Sequence, residues 1–114
     1  MPGYSFQSQV GAPDGTVIAA VDQSGFLAFG PWVQLPPGKY EASFSYEFSG
    51  TDPSASYVEV FSRDTVLAKE PIRSGSHVQT LAFELSSPLP LTEFRVFHGG
   101  QGRLAFRELS VDRR

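Results

Sequence analysis

The chain carries two imidazoles, His77 and His98, and no thiol. Catalysis would have to be assembled from these rings and from carboxylates. No Gly-x-Ser-x-Gly elbow presents a serine nucleophile, and neither His-x-x-x-His nor His-Glu-x-x-His spacing offers paired imidazoles to a metal. Asp52, Glu59, Asp64 and Glu93 could supply an acid and a base, but each sits in an ordinary surface context with nothing to raise its pKa. The residues argue against an enzyme. The lack of cysteine also removes disulfides, Cys-ligated zinc and thiol catalysis, and leaves the redox compartment open.

A different chemistry is offered by rings interleaved with charge. In the segments Tyr57-Val58-Glu59-Val60-Phe61 and Glu93-Phe94-Arg95-Val96-Phe97, apolar residues alternate with a mixed set. A period of two sends alternate side chains to opposite faces of a strand. With Val58, Val60, Phe94 and Val96 turned to a core, the other face carries Tyr57, Glu59, Phe61, Arg63, Glu93, Arg95 and Phe97. Rings that cover the C–H side of a pyranose, beside planar polar groups that pair with vicinal hydroxyls, are what sugar binding requires. Ordinary solvent faces carry Thr, Lys or Ser, so exposed rings at 57, 61 and 97 would form an apolar patch. The alternative is that loops or a terminal strand cover this face.

A second candidate lies at one end of the strands. If strands alternate in direction, the connections near 22–26, 50–55, 73–77 and 98–103 gather Asp22, Gln23, Asp52, Arg73, His77, His98, Gln101 and Arg103. In His98-Gly99-Gly100-Gln101-Gly102-Arg103 the glycines let backbone approach a ligand while His98, Gln101 and Arg103 supply donors. The same residues also read as a five-residue hairpin whose glycines provide positive φ. Trp32, the only tryptophan, could stack on a sugar or pack beneath the Pro36-Pro37 turn. The candidate ligand-binding set is thus Trp32, Tyr57, Glu59, Arg95, His98, Gln101 and Arg103.

Such residues have to be held by strands. Turn signals recur every eight to twelve residues or so, from Ala12-Pro13-Asp14-Gly15 through Pro36-Pro37-Gly38 to Gly99-Gly100-Gln101-Gly102. The intervals predict strands over about 4–10, 16–22, 26–35, 39–49, 56–62, 65–72, 76–85, 92–98 and 103–112. The clearest is the run in which Tyr40, Ala42, Phe44, Tyr46 and Phe48 alternate with Glu41, Ser43, Ser45 and Glu47. No helical period is present, and prolines at 31, 36, 37, 53, 71, 88 and 90 would break most helices placed there. Pro31 within a strand marks an edge or a bulge. The expectation is one all-β domain over residues 1–114, an antiparallel β-sandwich of eight or nine strands in jelly-roll form.

Composition narrows the partners. With 114 residues, 40% hydrophobic and 18% charged, the chain has material for one packed core rich in its ten Phe. A net charge of −3 with scattered Lys and Arg argues against nucleic acid. No apolar stretch approaches a bilayer span and no basic n-region precedes an apolar run, so neither membrane anchoring nor secretion is expected. A small cytoplasmic protein or a module of a larger chain would fit, with the compartment left open.

The segment Phe29-Gly30-Pro31-Trp32-Val33-Gln34-Leu35-Pro36-Pro37-Gly38-Lys39-Tyr40 resembles the GPY-x-x-L-x-x-G-x-Y opening of galactose-binding-like jelly rolls, the carbohydrate-binding modules attached to bacterial glycosidases and to some glycosyl- and methyltransferases. Tyr57-Val58-Glu59-Val60, Leu81-Ala82-Phe83-Glu84-Leu85, Glu93-Phe94-Arg95-Val96 and Leu104 to Val111 follow in similar order, so the resemblance covers roughly residues 26 to 112. It implies a non-catalytic module that binds carbohydrate, as an accessory to a catalytic domain of the same parent protein. The rival reading is a structural domain that docks on a neighbour or on itself through the Tyr57/Phe61/Phe97 face or the edge at Pro31. Trp32 departs from the usual Tyr, and the acidic cluster that holds structural calcium in many relatives is lacking near the N-terminus. No cofactor is expected; Asp14, Gly15 and Glu108 could alternatively ligate a calcium ion through carbonyl and carboxylate oxygens.

Overall fold

A computed structural model describes residues 8–14, 17–53, 55–62, 65–85 and 91–113, with no account of the side chains at 13, 14, 17, 31–34 and 91. Nine strands fill it in chain order: β1 Ala12–Asp14, β2 Val17–Val21, β3 Ser24–Gln34, β4 Gly38–Ser49, β5 Tyr57–Ser62, β6 Thr65–Pro71, β7 Gly75–Leu85, β8 Leu91–Gly99 and β9 Arg103–Arg113. They form a five-stranded sheet, β1-β2-β9-β4-β7, and a four-stranded sheet, β3-β8-β5-β6. Every pairing is antiparallel. This is the expected β-sandwich.

Alternation builds the core. On β4 the side chains of Tyr40, Ala42, Phe44, Tyr46 and Phe48 are all buried, and on β7 Gln79, Leu81, Phe83 and Leu85 face the same way. Opposite them, Val58 and Val60 of β5 and Phe94 and Val96 of β8 are wholly buried. The rings interlock between the sheets: Phe94 meets Phe83 at 6.1 Å and Phe44 at 6.5 Å between centroids, and Phe83 stacks on Tyr40 at 5.5 Å. Burying each such ring contributes roughly 2–3 kcal/mol.

Two expectations about local structure change. Residues 8–10 of the strand expected over 4–10 are not extended in a sheet, and residues 4–7 lie outside the described residues. Gln9 instead brackets β3: its N–H donates to Phe26 O at 2.9 Å, and its Oε1 accepts from Phe26 N–H at 3.1 Å. The Ala12-Pro13-Asp14 segment, read as a turn, is strand β1, at the edge of its sheet. An edge tolerates the N–H that Pro13 lacks. Pro31 behaves as its residue type dictates, because β3 is an edge strand and its register against β8 shifts between Gly30 and Val33.

The two sheets are also tied by polar groups along the side where β6 and β7 lie. The buried Tyr46 hydroxyl donates to Gln79 Oε1 at 2.5 Å and accepts from Arg73 N–H at 2.9 Å. Gln79 Nε2 then donates to Glu70 Oε1 at 2.8 Å and to Pro71 O at 3.1 Å. Burial holds the Tyr46 phenol above its ordinary value of 10.0, against the opposing pull of the Arg73 N–H and charge. A phenol whose folded pKa is raised keeps its proton longer when folded than when unfolded. Its stabilising contribution is full below about pH 10 and is lost as pH rises through the folded value.

Unfolding free energy measured by denaturant titration should therefore decline above about pH 10, and less steeply in Tyr46→Phe. At neutral pH the same substitution should cost about 1–3 kcal/mol, because it strands Gln79 Oε1 and the Arg73 N–H. Thr92 is the opposite case: it is completely buried, and among the described residues its Oγ1 has no hydrogen-bond partner. Thr92→Val keeps the shape and removes the unpaired hydroxyl, and should leave stability unchanged or raise it by about 1 kcal/mol.

Candidate functional site

The sandwich has two outer faces of different chemistry. On the five-stranded sheet the outward residues of β4 and β7 are Lys39, Glu41, Ser43, Ser45, Glu47, Ser49, Ser76, Val78, Thr80, Ala82 and Glu84, and they make ordinary surface contacts. Ser43 and Thr80 hydroxyls meet at 3.0 Å, and Ser76 Oγ donates to Glu47 Oε2 at 2.8 Å. The four-stranded sheet turns out rings instead.

Register sets those rings in rows across the strands. Phe26 of β3, Phe97 of β8 and Tyr57 of β5 are consecutive partners, as are Phe29, Arg95, Glu59 and Lys69 in the next row. Tyr57 and Phe97 stack at 4.9 Å with planes 18° apart, and Phe26 meets Phe97 edge-on at 5.2 Å. Side chains stand roughly perpendicular to a sheet, so neighbouring rings of a row lean on one another like books. From the next row the Lys69 side chain reaches across to Tyr57, its ammonium 4.1 Å from the ring centre. Tyr57 thus has Phe97 against one side and a cation on its ring. Burial, and secondarily the Glu59 charge, holds its hydroxyl above the ordinary 10.0 despite Arg95, so it remains a donor through neutral pH.

Arg95 organises the second row. Its Nε and Nη2 donate to Glu93 Oε1 at 3.0 and 2.7 Å, and Nη1 donates to Glu59 Oε1 at 3.2 Å. The guanidinium lies 3.9 Å from the centre of Phe61 and 5.3 Å from that of Phe26. Glu59 and Glu93 are only 4% and 6% exposed. The surface context expected for these two carboxylates is therefore wrong: they point away from the core, yet Arg95 and its flanking rings cover them. Of the other two carboxylates, Asp52 is exposed and Asp64 lies outside the described residues, as does Arg63.

The end of the sandwich is assembled differently. The β2–β3, β4–β5, β6–β7 and β8–β9 connections do lie at one end, as strand alternation requires. The segment after β8 is not a hairpin, however, because β8 and β9 belong to different sheets and residues 100–102 carry the chain across. His98 is completely buried beneath it. Its Nδ1 accepts from Gly100 N–H at 2.9 Å, so the neutral ring's proton is on Nε2, which donates to Gly102 O at 2.8 Å. Asp22 completes the crossing, its N–H donating to Gly102 O at 2.9 Å and its Oδ1 accepting from Gly102 N–H at 2.8 Å. Gly102 has φ +81°, and a Cβ there would stand 2.5 Å from Ser49 O, which accounts for the glycine.

The sequence-derived site residues therefore separate. Tyr57, Glu59 and Arg95 share one surface with Phe26, Phe29, Phe61, Lys69 and Phe97. His98 is a strut inside the end rather than a group on it. Gln101 is engaged in the loop, its Oε1 accepting from Asp52 N–H at 3.1 Å and its Nε2 donating to Thr51 Oγ1. Arg103 starts β9 on the other sheet, 3.8 Å from Glu47. Arg73 and His77 group with Tyr46: Arg73 through its N–H, and His77 by a ring contact of 5.9 Å while its Nε2 donates to Ser74 O at 2.6 Å. The Trp32 side chain is outside the described set. So are the Asp14 side chain and Gly15 of the calcium alternative, and among the described residues no group of three or more His, Asp or Glu could hold a metal ion. Phe26 and Lys69 were missed because their places on the face depend on sheet order.

No family model and no curated protein matches the sequence. Solved structures do. The C-terminal CBM6 of LamC, a marine laminarinase from Zobellia galactanivorans, superposes with a TM-score of 0.63 at 12% identity, covering 99% of this chain and 91% of that one. This chain shares the fold of a carbohydrate-binding module. The Stig cyclase FisC from Fischerella sp. TAU, in complex with an indole compound, gives 0.57 at 19% identity over 98% of this chain and 74% of that one. An apo cyclase from Fischerella sp. gives 0.51 at 21% identity over 71% of this chain, which spans only 51% of the cyclase's length. The jelly-roll architecture implied by the sequence resemblance is the common element.

Removing Arg95 should expose how the face is held. Arg95→Ala leaves two buried carboxylates without their cation and should destabilise by about 3 kcal/mol. Glu47→Ala, at an exposed pair, should cost less than about 1 kcal/mol in the same denaturation assay.

Proposed function

We propose that this chain is a non-catalytic carbohydrate-binding module whose ligand lies on the outer face of the four-stranded sheet, and that it serves as an accessory to a catalytic domain of a larger protein. The observation that carries the reading is the row Phe26, Phe97, Tyr57 beside the Arg95 clamp, set against a Ser/Thr/Glu-bearing face on the other sheet. The shared fold with a carbohydrate-binding module supports it.

The residues divide the work. A pyranose C–H face takes the place of the Lys69 ammonium on Tyr57; an exposed cation–π contact is worth only about 0.5–1 kcal/mol, so Lys69 moves aside cheaply. Arg95 uses three of its five N–H donors on Glu59 and Glu93, which leaves two for ligand hydroxyls in a fixed plane. Binding is weak by design of such an open surface, because each hydroxyl exchanges water for protein at little net gain. The reading includes no catalytic residue: both imidazoles are tied to backbone carbonyls by Nε2. It also includes no cofactor.

A glycan array, run with calcium and with chelator and followed by calorimetric titration of any hit, tests the proposal. Tyr57→Ala and Phe97→Ala should each weaken binding at least about tenfold, whereas Lys69→Ala should tighten it severalfold by uncovering Tyr57. Absence of binding to plant, microbial and host glycans would overturn it. A hit indifferent to Tyr57 and Phe97 would place the ligand elsewhere.

A further inference from the structure

The edges of the two sheets are not equally protected. A strand edge offers unpaired N–H and C=O groups to any other strand, and proteins blunt such edges with short strands, bulges, proline or lysine. Here β1 has three residues including Pro13. β3 carries Pro31 and two register shifts. β6 has a register shift against β5, and Lys69 and Pro71 in its sequence. The Pro31 edge, which the sequence marks as a docking candidate, is thus one of the blunted ones.

β7 has none of these devices. Its eleven residues pair with β4 without a shift from Gly75 to Leu85, and no described strand pairs with its other edge. It contains neither Pro, Lys nor Arg, and its single charge is Glu84. The inner side is anchored by Gln79 to Glu70 and Pro71, which ties the strand to β6 of the other sheet. On the outer side Ser76, Val78, Thr80, Ala82 and Glu84 are exposed, and Val78 at 69% is more exposed than Val21 or Val66.

We infer that β7 is an oligomerisation edge whose occupant is β7 of a second copy of this chain, joined antiparallel about a two-fold axis at Thr80. The strand is complementary to itself in that register. Thr80 faces Thr80, Val78 faces Ala82, and Ser76 faces Glu84, each pair occurring twice or on the axis. The hydroxyl of Ser76, which donates to Glu47 within the chain, can turn to the carboxylate of Glu84 of the second copy, the valine methyls cover the alanine, and the two Glu84 side chains lie at opposite ends of the ribbon, each beside Lys39 of its own β4. The result is a continuous ten-stranded sheet.

Sedimentation velocity of the whole chain over a wide concentration range, with thermal melts alongside, tests this. The wild type should show a concentration-dependent dimer. Val78→Lys should raise the dimer dissociation constant about tenfold or more while leaving the melt unchanged. Ala82→Glu alone should also weaken the dimer. The double variant Val78→Lys with Ala82→Glu should recover much of the lost affinity, since each lysine then faces a glutamate of the other copy. A wild type that stays monomeric at the highest attainable concentration overturns the inference. So does a dimer indifferent to Val78→Lys, or a double variant weaker than either single one. None of these outcomes depends on glycan binding.

Discussion

A residue on a sheet strand can reach the hydrophobic core from one side only, and in this protein the outward side of the four-stranded sheet carries more aromatic and ionised groups than solvent alone would favour. Tyr57, Phe61, Phe97, Glu59, Glu93 and Arg95 cannot turn inward without turning Val58, Val60, Phe94 and Val96 out. They settle the matter among themselves. The guanidinium of Arg95 neutralises two carboxylates, covers Phe61 and approaches Phe26, so that one side chain makes burial tolerable for several. Such a cluster is worth little to stability compared with an apolar patch of the same volume, but it is costly to break. That asymmetry holds the face in one fixed arrangement.

The end of the sandwich obeys a related rule. Two of the eight connections are hairpins, β1–β2 and β5–β6, and the other six cross between the sheets. A short crossing has backbone groups that neither sheet can satisfy. Between β8 and β9 the buried imidazole of His98 takes that role, accepting from Gly100 and donating to Gly102, while Asp22 pairs with Gly102 from the other side. Only the neutral ring has one acceptor and one donor for these two partners. An imidazole placed this way resembles a functional histidine in sequence and is a structural one in space.

Turn signals spaced along the chain made eight of the nine strands legible, and period-two alternation, which core and solvent impose residue by residue, assigned faces in the clearest of them. Tyr40 to Phe48 and Tyr57 to Phe61 could be assigned to faces without any tertiary information. The failures have specific causes. Pro13-Asp14-Gly15 carries turn chemistry, and only the edge position of β1 allows Ala12–Asp14 to be strand. The His98 to Arg103 segment has hairpin glycines, but whether two successive strands share a sheet is decided by the packing of all nine. The burial of Glu59 escaped for the same reason, since it takes Arg95 from the adjacent strand to cover it, and the same guanidinium folds back over Glu93 two residues along its own strand. Membership of the ring row was half visible: Tyr57 and Phe97 follow from alternation, whereas Phe26 and Lys69 join through β3–β8 and β5–β6 pairing.

The proposed sugar face and the inferred β7 edge are compatible, and their geometry would couple them. A two-fold axis through Thr80, perpendicular to the five-stranded sheet, extends that sheet while keeping both four-stranded sheets on the same side of it. The two ring rows would then face one direction. A polysaccharide presents the same unit many times, so two weak sites on one rigid body gain through effective concentration without any new contact. An open sheet face that binds a single sugar weakly is a poor tether when alone. Doubled through the inferred β7 pairing, the proposed face would become an adequate one, which would give an edge strand without proline, lysine or bulge a use that the three protected edges lack.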